Sequence, residues 1–143
     1  MTITIKPKVY GPVRVDFKSE DSLMLSTESG NRIRAGSTST GEALSPSDLI
    51  LGSLSACVAI SMRMAARQLG LEPGEIQVSA VAIKATDLPN RFGRFEVVVD
   101  PGVTMQADQQ DELLRRTKAL CTVSNTLGAE IDLRIAPVTA PDA

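Results

Sequence analysis

The chain has 143 residues, with 15 basic and 17 acidic side chains and a net charge of −2, and this length suits a single domain. Hydrophobic residues make up 43%, which predicts a packed globular protein rather than a disordered one. Nucleic-acid binding is excluded, because no basic stripe is present and only 3% of residues are aromatic. Histidine is absent, which excludes Ser–His–Asp and Cys–His catalysis and most catalytic zinc sites.

The apolar segments predict a protein of the cytoplasm, with no secretory signal and no membrane span. Residues 1–9 alternate Ile with Thr and Lys and contain no continuous apolar stretch. The longest uncharged apolar run, Leu49–Met62, is shorter than the roughly 18 residues that a membrane span requires. Cellular reductants keep most cytoplasmic thiols reduced. A permanent disulfide is therefore not expected, and two cysteines are too few for a structural zinc site.

The first 44 residues are predicted to form a meander of short strands followed by a loop. Alternation of apolar and polar residues marks candidate strands at 2–5, 13–17 and 23–27. A turn is expected at 28–31, which is rich in Ser, Gly and Asn. The stretch 36–44 is rich in Ser, Thr and Gly and has no periodicity, so we expect a loop there.

A long helix is predicted to begin after Ser45. Ser45 suits the N-cap, Pro46 the first helical position, and Asp48 the third residue after the cap of a capping box. Gly70 ends the helix. Beyond it, two strands, a helix, a short turn and a last strand are predicted at 75–85, 92–100, 107–120, 124–128 and 130–135.

This order of elements predicts an α+β fold with an antiparallel sheet and helices on one face. We expect residues 1–143 to form one domain, with a helix-containing core at 45–136 and a tail at 137–143. Between Leu49 and Met62 the long helix has no charged face, so all its sides need cover. A second copy of the chain would provide that cover. The alternative is that the small residues of this helix simply fit under the sheet.

Cys57 and Cys121 are the candidate functional residues. Cys57 lies about three turns into the apolar helix, where a buried, unreactive cysteine is the simpler interpretation. To react, it would need a nearby cation that lowers its pKa. Cys121 follows the second helix among polar residues, so we expect an accessible thiol, although an incidental, partly buried cysteine fits equally well. Together the two could act as a nucleophile and its resolving partner.

Two segments resemble the OsmC/Ohr superfamily. The stretch 45–57, SPSDLILGSLSAC, has a proline eleven residues before a cysteine, a Leu-rich run, and small residues just ahead of the cysteine. The stretch 121–127, CTVSNTL, is similar to the segment around the family's second cysteine.

This resemblance implies an intertwined homodimer in which antiparallel sheets wrap around two long central helices. It also implies a peroxidatic Cys57, a resolving Cys121, an organic hydroperoxide as substrate, and a lipoyl or thioredoxin-like dithiol as reductant. No metal and no cofactor are implied, and the expected role is defence against oxidative stress.

Two positions depart from the family pattern. Hydroperoxide reductases of the family have a glutamate ten residues before the first cysteine, where this chain has Ser47. They also place an activating arginine in the first hairpin, for which Arg14, Arg32 and Arg34 are the candidates. These departures leave an alternative open: a non-enzymatic dimer that binds a hydrophobic small ligand, with structural or sensory cysteines.

Overall fold

The computed structural model describes residue 3 and residues 5–136. The chain divides into two compact units, one up to Leu49 and one from Ile50, and each is described by itself. The fold is α+β, with one three-stranded sheet in each unit. The prediction of a single domain is not tested by this division and stays a prediction. The predicted tail, 137–143, lies outside the described residues.

The sheet of the first unit is an antiparallel meander. Its strands, in spatial and chain order, are β1 Val13–Ser19, β2 Ser22–Thr27 and β3 Arg32–Ala35. Val15 lies opposite Leu25, and Leu25 lies opposite Ile33, so apolar side chains of all three strands share one face. Most of this face is open to solvent, since Val15 is 49% and Ile33 45% exposed.

The strand predicted at 2–5 is wrong for the two of its residues that the structure describes. Residues 2 and 4 lie outside the described part of the chain, and Ile3 and Ile5 belong to no strand. The third strand is instead β3, which was not predicted. Its four residues alternate between charged and apolar, but so short an alternation is a weak signal beside the turn at 28–31. That turn does form, with the Gly30 N–H donating to the Thr27 carbonyl at 3.0 Å.

Helix α1, Pro46–Gln68, has the start and the end that its sequence predicts. The Asp48 N–H donates to Ser45 Oγ at 3.1 Å, and the Ser45 N–H donates to Asp48 Oδ2 at 2.9 Å, which completes the capping box. At the other end, the N–H groups of Gly70 and Leu71 donate to the carbonyls of Arg67 and Ala66. This is a Schellman motif, and it requires the positive φ of Gly70, 70°.

The sheet of the second unit is mixed rather than antiparallel. Its spatial order is β4 Gln77–Lys84, β5 Phe92–Asp100 and β6 Glu130–Ile135. Strands β4 and β5 form an antiparallel pair, whereas β5 and β6 run parallel, so the predicted antiparallel sheet is wrong for the second pair. The reason is helix α2, Ala107–Leu120, because a helical crossover returns the chain to run in the same direction.

The core of the second unit lies between α1, the sheet and α2. It contains Leu54, Val58 and Met62 of α1, Phe95, Val97 and Val99 of β5, and Leu113 of α2. A five-residue helix, α3 Thr122–Thr126, follows α2 after the single residue Cys121, which also belongs to this core. Burial of aliphatic and aromatic side chains therefore holds α1 and the junction of α2 with α3 in one unit.

By length and composition alone, α1 could cross a membrane. The sequence prediction considered only its uncharged stretch, but an 18-residue window that tolerates two charges meets the requirement. This is weak support for a membrane span, because the core helix of a water-soluble protein meets the same requirement. In this structure Leu54, Val58 and Met62 of α1 are covered by protein, each 1% exposed or less.

Candidate functional site

The fold brings the two cysteines together. Cys57 lies on α1 and is half-buried, whereas Cys121 lies between α2 and α3 and is fully buried. Cys57 packs against the core that contains Cys121, and the Cys121 thiol helps to lower the pKa of Cys57. Residues 64 positions apart in sequence thus form one cluster, because α1 and the end of α2 pack into the same core.

The start of α3 brings backbone donors to this cluster. The Cys121 N–H donates to the Thr117 carbonyl at 3.1 Å and completes α2. The extended backbone of Cys121, with φ −77° and ψ 102°, then leads directly into α3. The first N–H groups of a helix have no acceptor within that helix. Those of Thr122 and Val123 interact with the Cys57 sulfur.

These groups determine the direction in which the pKa of the Cys57 thiol shifts. Burial raises the pKa of the thiol, but hydrogen bonds to the sulfur outweigh burial and hold the pKa below its ordinary value. In decreasing order of effect, the donors are the Val123 N–H, the Cys121 thiol, the Ser61 hydroxyl and the Thr122 N–H. A lowered pKa increases the fraction of thiolate, which is the nucleophilic form of cysteine.

The sequence predicts a cation beside Cys57, whereas the groups that lower its pKa are hydrogen-bond donors. None of the described groups that shift the pKa of Cys57 is an arginine. The candidates Arg14, Arg32 and Arg34 are exposed residues of the first unit, and Arg34 pairs with Glu42 at 3.1 Å. One signal in the sequence was available. Ser61 follows Cys57 by four residues, which is the spacing of neighbours on one helix face.

The expectation that Cys121 is an accessible thiol is wrong for this chain. Its polar neighbours Thr122 and Asn125 are exposed, but Cys121 itself is 0% exposed. The short helix α3 explains the difference, because it turns these polar residues outward and leaves Cys121 in the core. The Ser124 hydroxyl donates to the Cys121 carbonyl at 3.1 Å and fixes this turn.

Asp48 and Ser47 both lie in the first turn of α1, where Asp48 caps the helix. The N–H of Ser45 and the hydroxyl of Ser39 hold the pKa of the Asp48 carboxyl below its ordinary value. This is the electrostatic signature of a carboxylate that caps a helix. Ser47, at the position of the family glutamate, is exposed.

An open pocket of about 360 Å³ lies in the second unit. Its apolar lining comes from Ile50 of α1, Phe92 and Phe95 of β5, and Leu127 and Ala129 before β6, with Asn90, Arg91 and Gly128 completing the wall. Arg91 also pairs with Asp87 at 2.6 Å. Cys57 is not among the residues that line this pocket. It lies about two helical turns after Ile50, on the same face of α1. The pocket suits an apolar group of small-molecule size.

Comparison with models of known protein families identifies the family of this chain. The family model described as OsmC-like protein matches residues 39–136, more than half of the chain. The chain belongs to the OsmC-like protein family. The matched region contains Cys57, Cys121 and every described group that lowers the pKa of Cys57, so the family resemblance seen in the sequence is confirmed.

Solved OsmC-like structures have the same fold. An OsmC-like protein of Mycoplasma pneumoniae has a TM-score of 0.80 at 12% identity, with 91% of this chain and 98% of that chain covered. An OsmC-like protein of unknown function from Vibrio cholerae has a TM-score of 0.77 at 14% identity, with 90% and 100% covered. The organic hydroperoxide resistance protein OhrB of Bacillus subtilis has a TM-score of 0.68 at 14% identity, with 90% and 98% covered. Identities this low show the fold alone, and none of the curated proteins compared matches the chain.

Proposed function

We propose that this OsmC-like protein is a thiol-dependent peroxidase that reduces organic hydroperoxides. Cys57 is the nucleophile and Cys121 the resolving thiol. The observation that carries the proposal is the cluster at Cys57, where a second thiol and three further donors surround a sulfur whose pKa lies below its ordinary value. Such a thiolate is the form that attacks electrophilic oxygen.

In the first step, the Cys57 thiolate attacks the terminal oxygen of the hydroperoxide. The O–O bond breaks, an S–O bond forms, and the leaving alkoxide takes up a proton to become an alcohol. Sulfur is oxidised to a sulfenic acid as the hydroperoxide is reduced. The N–H groups of Thr122 and Val123 and the Ser61 hydroxyl hold the thiolate before attack.

In the second step, the Cys121 sulfur attacks the sulfenic acid of Cys57. An S–S bond forms, the S–O bond breaks, and the hydroxyl leaves as water with the proton of Cys121. The packing of both cysteines in one core supports a direct reaction. A dithiol such as a lipoyl group or a thioredoxin-like protein then reduces the disulfide by thiol exchange and becomes oxidised itself.

The substrate proposal rests on the pocket of the second unit. Its aliphatic and aromatic lining favours an organic hydroperoxide over hydrogen peroxide, because apolar surface of the substrate is removed from water there. The family includes proteins named for organic hydroperoxide resistance, such as that of Bacillus subtilis, and this supports the same substrate class. The role that we propose is defence against oxidative stress, and the location that we propose is the cytoplasm.

The assembly that we propose is a homodimer, with a copy of α1 from each chain at its centre. An exposed row of residues four apart, the α1 stripe, consists of Gly52, Ala56, Ile60 and Met64. Ile60 is 64% and Met64 48% exposed, and the two small residues permit close approach of a second helix. In the first unit, β1 exposes Val13, Val15 and Phe17 on one face. Apolar surfaces of this kind on both units favour a partner chain.

A second candidate function is ligand binding without catalysis, by a dimer whose cysteines are structural or sensory. The observation that favours it is Ser47, an exposed serine where hydroperoxide reductases of the family carry a glutamate. The pocket would then hold a hydrophobic small molecule. Native mass spectrometry of the purified protein distinguishes the two functions, because a stably bound ligand adds mass whereas a turnover substrate does not.

Peroxide consumption tests the proposed function. Reduced protein is mixed with cumene hydroperoxide or hydrogen peroxide and a dithiol reductant, and the loss of peroxide is followed. We expect faster consumption of cumene hydroperoxide and complete loss of activity in Cys57→Ser. The peroxidase function is refuted if the wild type consumes neither peroxide with a lipoyl or a thioredoxin-like reductant. Activity in Cys57→Ser equal to the wild type would instead refute the assigned nucleophile.

A further inference from the structure

Ser61 is a polar residue on the buried face of α1. It is 3% exposed, and its neighbours on that face, Leu54, Val58 and Met62, are apolar. A buried hydroxyl costs free energy unless it finds a hydrogen-bond partner. The usual partner of a serine or threonine within a helix is the backbone carbonyl four residues earlier.

Other hydroxyls of the second unit make that backbone bond, but Ser61 does not. Thr117 Oγ1 donates to the Leu113 carbonyl and Thr126 Oγ1 to the Thr122 carbonyl, each at 2.7 Å. Among the described residues, the Ser61 hydroxyl has no such bond to a carbonyl. Cys57 lies four residues earlier on the same side of α1, and the Ser61 hydroxyl helps to lower the pKa of its thiol. The thiol of Cys57 is therefore the polar neighbour available to this buried hydroxyl.

Helix geometry favours a contact of Cys57 with Ser61 rather than with Ser53, the serine one turn before Cys57. Side chains of an α-helix tilt toward the N-terminus, so a residue covers the turn that precedes its own Cα. Ser61 lies one turn after Cys57 and leans back over it. Ser53 lies one turn before Cys57, leans away from it, and is exposed.

We propose that Ser61 is a positioning residue whose hydroxyl donates a hydrogen bond to the Cys57 thiolate and holds it ready for attack. The catalytic meaning of this contact rests on the proposed peroxidase function, but the contact itself does not. The lowered pKa of Cys57, to which the Ser61 hydroxyl contributes, agrees with this geometry. The same bond fixes the sulfur on the side of α1 that faces Cys121.

The rate of alkylation of Cys57 by iodoacetamide tests this role without any peroxide. Peptide-level mass spectrometry separates Cys57 from Cys121, and the rate is measured from about pH 5 to about pH 10, which spans the ionisation of thiols. In Ser61→Ala we expect the rate at about pH 7 to fall about 3–10-fold, which corresponds to the loss of one hydrogen bond. Near pH 10, where the thiol is ionised in both proteins, the two rates should agree.

The matched controls are Ser61→Thr, which keeps a hydroxyl, and Ser53→Ala, the same substitution one turn before Cys57. Both should stay within about twofold of the wild type, a change smaller than one hydrogen bond produces. If circular dichroism shows that Ser61→Thr does not fold, Ser61→Gly replaces it and must reproduce the loss seen in Ser61→Ala.

Two outcomes would overturn the proposal. One is an unchanged pH profile in Ser61→Ala, and the other is an equal loss of rate at every pH, which would indicate altered packing or access rather than ionisation. Because alkylation involves no peroxide, a positive result stands even where peroxide consumption fails, and a negative result leaves the peroxidase test intact.

Discussion

Cys57, on α1, packs against the core that contains Cys121, at the junction of α2 and α3, and the Cys121 thiol helps to lower the pKa of Cys57. The two cysteines are unequal: Cys57 is half-buried and Cys121 fully buried. This asymmetry suits a nucleophile that meets substrate and a partner that reacts only with the oxidised nucleophile. It also makes Cys121 a donor that helps to lower the pKa of Cys57.

Replacement of Cys121 should change both the ionisation and the fate of Cys57. In Cys121→Ala the donor is lost, so the pKa of Cys57 should rise, whereas Cys121→Ser keeps a hydroxyl donor and should raise it less. In both variants a sulfenic acid should persist on Cys57 after one equivalent of cumene hydroperoxide, because no resolving thiol remains. Trapping with dimedone and mass spectrometry measures this. A wild-type protein that traps as much dimedone as Cys121→Ser would contradict the role of Cys121.

The folded protein should be stabilised by ionisation of Cys57, and the sign follows from its lowered pKa. The folded state releases the thiol proton more readily than the unfolded chain does. The stabilisation is therefore complete above the ordinary thiol pKa of about 8.5 and is lost as the pH falls through the lower, folded pKa.

Chemical denaturation of wild type and Cys57→Ser at several pH values measures this contribution. The difference in the free energy of unfolding should shift in favour of the wild type as the pH rises toward the ordinary thiol pKa. A difference that does not change with pH would mean that Cys57 ionises alike in the folded and unfolded states.

Removal of the helix cap should destabilise the start of α1. Ser45→Ala deletes the acceptor of the Asp48 N–H, and loss of such a cap costs about 1 kcal/mol of the free energy of unfolding. Denaturant titration measures it, with the exposed Ser47→Ala as the control. Equal stability of the two variants would show that the cap contributes nothing.

A charge on the α1 stripe should break the proposed homodimer. Ile60→Glu places a carboxylate at the centre of that apolar row and should shift the protein from dimer to monomer, since a charge buried without a partner is costly. Light scattering after size-exclusion chromatography measures the mass. The control is Val81→Glu, on β4, where Val81 is 50% exposed. A monomeric wild type, or a dimer that tolerates Ile60→Glu, would contradict the interface.

The sequence predicts those parts of the fold whose signals are local. The capping box of Ser45 and Asp48 and the positive φ of Gly70 set the ends of α1. The spans 107–120 and 130–135 agree with α2 and β6 as observed. Strand β3 was not predicted, because four residues are too few to show a clear alternation. The parallel pairing of β6 with β5 was not predicted either, because it depends on the path of α2 and not on the sequence of the strand.

The sequence identifies Cys57 and Cys121 as candidates, but it does not predict which groups lower the pKa of Cys57. The pattern around Cys57 and Cys121 identified both cysteines, yet their relative exposure came out reversed. Polar neighbours in sequence say little about exposure when a one-residue junction turns the backbone, as at Cys121. The donors that act on Cys57 include backbone N–H groups of Thr122 and Val123, and every residue type except proline carries such a group. Only the tertiary packing of α1 against the start of α3 reveals them.

The most direct test of the account is the state of the two thiols after reaction with one equivalent of cumene hydroperoxide. Intact-mass and peptide mass spectrometry without reduction should show the loss of two hydrogens and a disulfide that joins Cys57 to Cys121 within one chain. Lipoyl or thioredoxin-like dithiols should restore both thiols. Two free thiols after exposure to the hydroperoxide, or a disulfide only between chains, would contradict the proposed chemistry of this site.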